Sequence, residues 1–168
     1  LKFLAVLSLH VSQNIKAKLH GGYKLRPGGK REVFVELSTS FTISDSLNMA
    51  GRQIVDVTKQ LSITDIQFWR QIIHFQRGNN ATDPVERYRE FYQVLEDEGG
   101  QHLTPEEKAL RHAVNHLYLS YSPTVALATR ILGARTFDPS KSNHVETIRQ
   151  YAEELRKKAR EILLAKNV

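Results

Sequence analysis

The chain has 168 residues, room for one domain with a substantial core. It contains no cysteine, which excludes disulfides, thiolate catalysis and Cys-based zinc sites. Its formal charge of +6 favours polyanionic partners such as RNA, DNA or acidic proteins.

Residues 1–44 read as a β appendage. Phe3, Ala5, Leu7, Leu9 and Val11 fall at every second position, as do Val33, Val35, Leu37, Thr39, Phe41 and Ile43. This period of two predicts two strands, paired as a hairpin or ribbon. Lys2 followed by Phe3 to Leu9 imitates an export signal, but the run is short and no small-residue cleavage site follows, so a strand is expected. The segment between the strands is punctuated by Gly21-Gly22 and Pro27-Gly28-Gly29 and is strongly basic. Within it, Lys24, Arg26, Lys30 and Arg31 are the candidate contacts to an RNA backbone, with solvated surface charge as the plain alternative. A P-loop is excluded, because the glycine spacing is wrong and no Ser or Thr follows Lys30.

Residues 45–168 change to a helical period. Leu47, Ile54, Val57 and Leu61 mark a first helix, and Ile66, Trp69, Ile72 and Ile73 a second that ends near Gly78. Phe68, Trp69 and Phe75 would suit base stacking, but their helical spacing favours core. Asp83-Pro84-Val85-Glu86 starts a third helix, with Asp as cap, Pro in the first turn and Glu placed to close a capping box. Val85, Tyr88, Tyr92 and Leu95 form its stripe, and Gly99-Gly100 stops it. Thr104-Pro105-Glu106-Glu107 repeats the start signal for a fourth helix running to about Tyr121. Ser122-Pro123 opens a short helix through Leu132. A last helix spans about 144–166, with Val145, Ile148, Ala152, Leu155, Ala159 and Ile162 buried. The predicted fold class is mainly α: an antiparallel helical bundle carrying an N-terminal β-hairpin or two-stranded appendage. No stretch reaches the roughly 18 apolar residues of a membrane span. No membrane association and a cytoplasmic location are the expectation.

The fourth helix carries the chemistry. At about 100° per residue, Leu110, Ala113, Val114 and Leu117 gather on one face. Arg111, His112, Asn115 and His116 share the other side. A guanidinium braces phosphate oxygens. An imidazole gives or takes a proton near neutral pH. An amide orients either the ring or a ribose hydroxyl. RNA supplies its own nucleophile in the 2′-hydroxyl, so this set suits cleavage without a metal or a cofactor.

The spacing Arg111-x4-His116, with the polar His112 straight after Arg, resembles the signature of the HEPN superfamily. The preceding aromatic helix, Asp83 to Glu96 ending in Leu95-Glu96, resembles the helix before the motif in several HEPN branches. The likeness in pattern covers about residues 45–166. Tyr118 extends it to Arg-x4-His-x-Tyr, as in HEPN toxins paired with nucleotidyltransferase antitoxins, where the Tyr is a modification target. The resemblance implies an all-helical domain, a homodimer through the helix around 111–121, and metal-independent endoribonuclease activity in a toxin or antiviral defence system. An antitoxin or other defence protein would be its partner. Arg111 would stabilise phosphate charge and His116 would transfer protons, supported by Asn115 and His112.

Plainer roles compete. Arg111 stands four residues after Glu107, the spacing of a helical ion pair. His112 and His116 at i and i+4 could share a metal ion, but the zincin Glu and a third ligand are missing. His116 and Tyr118 could simply pack. The rival functions are a non-catalytic HEPN-like module that binds RNA, nucleotide or protein, and a structural bundle within a longer protein.

Overall fold

The computed structural model describes Val6, Leu9, the backbone of residues 15–25 and 31–41, and residues 59–116 and 122–166. The chain divides into two units, Leu1–Ser62 and Ile63–Val168.

In the first unit, β1 (Ile15–Leu25) pairs antiparallel with β2 (Arg31–Phe41). The register sets Ile15 opposite Phe41, Leu19 opposite Leu37 and Lys24 opposite Glu32. β2 covers most of the predicted second strand. The first strand, however, lies where a basic connection was expected, and Val6 and Leu9 are helical and buried. The reason is in the alternation itself. In the sequence Ile15, Ala17, Leu19, Tyr23 and Leu25 take every second position but one, with Lys16, Lys18, His20 and Lys24 between them. This is a cleaner period of two than residues 3–11 offer. Of the helix predicted from Asp45, residues 59–61 are helical, and Leu47, Ile54 and Val57 lie outside the described residues.

The second unit is helical: α1 (Ile66–Asn80), α2 (Pro84–Asp97), α3 (Pro105–Val114), α4 (Pro123–Leu132) and α5 (Ser142–Ala165). Local sequence sets most of the ends. Asp83 caps α2 by accepting from the Val85 and Glu86 N–H groups. Thr104 and Glu107 close a full capping box on α3, with the Thr104 N–H 2.7 Å from Glu107 Oε2. Ser122 caps α4, which ends on Gly133 at φ +70°, a conformation glycine adopts without a Cβ clash.

α2 packs against both α1 and α5, and α3 packs on α4. The core is Phe68, Ile72 and Phe75 from α1, then Tyr88, Phe91 and Leu95 from α2. Leu110 and Val114 come from α3, and Ile148, Leu155 and Leu163 from α5. Two stripes differ from the predicted ones. On α1 the phenylalanines turn inward, leaving Ile66 and Ile73 exposed. On α5 the buried line begins at His144 and ends at Leu163, because Ile148, Ala152, Leu155 and Ala159 extrapolate by four to those positions. The displaced Val145 is half-buried beside that line. α1 also runs two residues past Gly78. A Cβ at Gly78 would lie 2.6 Å from the Phe91 ring, so this glycine permits close approach rather than marking a stop.

Two polar clusters fasten the helices. Glu107, 1% exposed, receives the Lys158 ammonium at 2.7 Å. The Tyr88 hydroxyl donates to the Glu107 carbonyl. Burial holds the Tyr88 phenol far above its ordinary range, so it remains a donor. Near the end of α5, Lys166 bridges Glu98 at 2.6 Å and the buried Gln71 at 2.8 Å.

Candidate functional site

α3 ends at Val114 instead of continuing to about Tyr121. Its terminal carbonyls have found donors outside the helix. The Ala113 oxygen accepts from the Phe137 N–H at 3.2 Å and from the His116 N–H at 3.3 Å. The Val114 oxygen accepts from Arg89 Nη2 at 3.2 Å. One local donor and two tertiary ones thus satisfy carbonyls that another helical turn would otherwise have to serve. Asn115 is the C-cap, a residue type suited to helix ends.

His116 follows at φ +52°, in the left-handed region. It is the one non-glycine residue with positive φ among those described, and its side chain is exposed. The assumed i, i+4 pairing of His112 with His116 therefore fails, because His116 has left the helix. For the same reason, the roughly 140° angle between Arg111 and His116 that a continuous helix would impose does not apply.

Arg111 lies against an aromatic ring of α2. The Arg111 guanidinium carbon lies 5.1 Å from the centre of the Tyr92 ring, in cation–π geometry. Burial, followed by the charge of Glu96, holds the Tyr92 phenol above its usual range, and Arg111 pulls against both. In place of Arg111, the alternative ion-pair partner, Glu107 takes Lys158. His112 is half-buried on α3, and its buried Nδ1 has no hydrogen-bond partner among the described residues.

His116 instead shares a cleft of about 330 Å³ with Arg89 and Asp83. Pro84, Val85, Val114, Phe137, Pro139 and Val145 complete its walls. Arg89 comes from α2, Val114 and His116 from the end of α3, and Phe137 and Pro139 from the loop before α5. That loop is held from below. His144, 1% exposed, accepts the Asp138 N–H on Nδ1 at 3.0 Å, and its ring lies 6.1 Å from that of Phe137. Arg111 does not line the cleft. The cation beside His116 is Arg89, which sequence reasoning missed. The only signal for it was its place one helical turn after Val85, on the α2 edge that the buried stripe leaves open.

Comparison with protein families, with curated proteins and with solved structures finds no match.

The remaining predicted residues divide by position. Lys24 is the penultimate residue of β1, opposite Glu32, and Arg31 opens β2 opposite Leu25. Arg26, Lys30 and Tyr118 lie outside the described residues, as does the 117–121 part of the expected dimer surface. Phe68 and Phe75 are buried core. The Trp69 indole N–H donates to the Ile63 carbonyl at 2.7 Å. Among the described residues no three His, Asp or Glu side chains gather to hold a metal ion, and no helix is long and apolar enough to cross a membrane.

Proposed function

We propose that this chain is a HEPN-like endoribonuclease that cuts RNA without a metal, using the cleft at the end of α3. One observation carries the reading: an exposed histidine in a left-handed conformation faces a cleft that also holds an arginine. The left-handed turn is the common geometry of a residue just past a helix C-cap, with the His116 N–H on the Ala113 carbonyl, and it leaves the imidazole on the cleft wall. His116 takes the proton from a ribose 2′-hydroxyl. The 2′-oxygen then attacks the adjacent phosphorus, and the bond to the 5′-oxygen breaks as water supplies its proton. The products are a 2′,3′-cyclic phosphate and a 5′-hydroxyl. Arg89 donates to the phosphate oxygens as charge builds. One of its five N–H groups serves Val114, which leaves others for the ligand. Asn115 positions the His116 backbone. Arg111 and His112, one residue apart on α3, would meet the same strand or a second copy of the chain. The Arg-x4-His motif and the net positive charge support an RNA substrate.

The apolar walls favour a second reading, in which the same cleft binds an RNA base or nucleotide without cleaving it. A cleavage assay on mixed RNAs in excess EDTA separates the two. The enzyme reading expects 2′,3′-cyclic ends, resistance of DNA, and a roughly hundredfold or larger loss in both His116→Ala and Arg89→Ala. A requirement for magnesium, or equal cutting of DNA, overturns the mechanism. Binding that depends on Arg89 with no cleavage establishes the second reading.

A further inference from the structure

We propose that the cleft selects one nucleotide whose base carries an amino group at pyrimidine C4 or purine C6, cytosine or adenine rather than uracil or guanine, with Asp83 as the residue that selects it. This rests on the RNA reading above and adds base preference to it.

The cleft has two unlike ends. Asp83 sits at the start of α2, and Arg89 lies six residues further on, about 9 Å along a helix. Arg89 reaches the Val114 carbonyl, two residues before His116, so the cationic end and the imidazole lie together. The carboxylate of Asp83 marks the other end. A phosphate is attracted to the first and repelled by the second, which fixes the direction in which a nucleotide enters. The N-terminus of α2 offers a phosphate nothing, because Asp83 already occupies the Val85 and Glu86 N–H groups, each at 3.3 Å.

Between the ends the wall is apolar. Val85, Phe137, Pro139 and Val145 present a surface suited to the flat face of a base. The volume of about 330 Å³ is near the lower limit for small-ligand sites, which suits a single nucleotide. With the phosphate at Arg89, the far edge of the base meets Asp83. An ionised carboxylate only accepts hydrogen bonds, and each of its oxygens can accept more than one. The amino group of cytosine or adenine satisfies it, as in acidic readout of cytosine, whereas the O4 of uracil faces it lone pair to lone pair.

The test uses cytidine and uridine 3′-monophosphate as probes, titrated calorimetrically into the full chain. Cytidine 3′-monophosphate is expected to bind roughly tenfold tighter, the low end for a hydrogen-bonded base contact. Asp83→Ser keeps a capping oxygen and so keeps α2, which circular dichroism verifies. This variant should weaken cytidine and strengthen uridine, so that the two affinities converge. Arg89→Ala should weaken both nucleotides equally and preserve their ratio. Equal affinities in the wild type, or a ratio that survives Asp83→Ser, overturn the base selection and leave the RNA reading standing. If neither nucleotide binds, or Arg89→Ala changes nothing, the RNA reading of the cleft fails and this inference falls with it.

Discussion

Replacing His116 with glycine separates the two things this residue does. Its backbone is at φ +52°, where an L-residue pays roughly 1–2 kcal/mol and histidine somewhat less than most. Glycine removes that cost. Against it stands the greater freedom of glycine in the unfolded chain, about 0.5–1 kcal/mol. The side chain is exposed, so little buried area is lost. The net expectation for His116→Gly is a gain of roughly 0.5 kcal/mol, one or two degrees in Tm for a chain of this size. His116→Ala keeps the strained backbone and loses the ring, so it should sit a few tenths of a kcal/mol below wild type. RNA cleavage in EDTA should fall about a hundredfold or more in both. Thermal melts and a cyclic-phosphate assay on the same preparations give both readings. A glycine variant that is less stable than wild type by more than about 1 kcal/mol would assign His116 a structural role. A glycine variant that still cleaves would remove it from the chemistry.

Gly78→Ala should destabilise the helical unit by roughly 1–3 kcal/mol in urea melts, because the new methyl would lie 2.6 Å from the buried Phe91 ring. Glu98 supplies a pH effect. Burial pushes its carboxyl up, but hydrogen bonds from Lys166 and Gln71 and the charge of Lys166 outweigh burial and hold it below the ordinary range. A carboxylate lowered in the folded state contributes stability that is present above its unfolded value and lost as pH falls through its folded one. Tm should therefore drop on acidification below the usual glutamate range, and Glu98→Gln should flatten that part of the profile. Finally, if two copies join through the region around 111–121, light scattering at tens of micromolar should report twice the chain mass. A monomer at that concentration would remove the dimer from the proposal.

Much of the helical unit was legible because its signals are local. Asp83, Thr104 and Ser122 each stand beside a proline and cap the helix that follows, and the apolar spacing of α2 and α5 sets which side is buried. Errors arose where two apolar patterns competed. On α1, Ile72 of the predicted stripe is buried together with Phe68 and Phe75, whose spacing had favoured core, but Ile66 and Ile73 are exposed, and Phe75 meets Phe91 at 5.6 Å between centroids. In the first unit, lysines between Ile15 and Leu25 suggested a loop, although their alternation was the strand signal.

The candidate site divides along the same line. The sequence by itself determined that an arginine, an asparagine and two histidines would cluster in residues 111–116, behind a capping box that fixes where α3 begins. It carried no strong stop signal after Val114, since neither glycine nor proline occurs there. Tertiary structure decided the end of the helix. The Phe137 N–H reaches the Ala113 carbonyl from 24 residues away in the chain, and Arg89 reaches the Val114 carbonyl from 25. Local preference cannot register donors that arrive only when α2 and the loop before α5 have packed. The same packing sets Arg89 in the cleft with His116, while Arg111 stays behind on the ring of Tyr92.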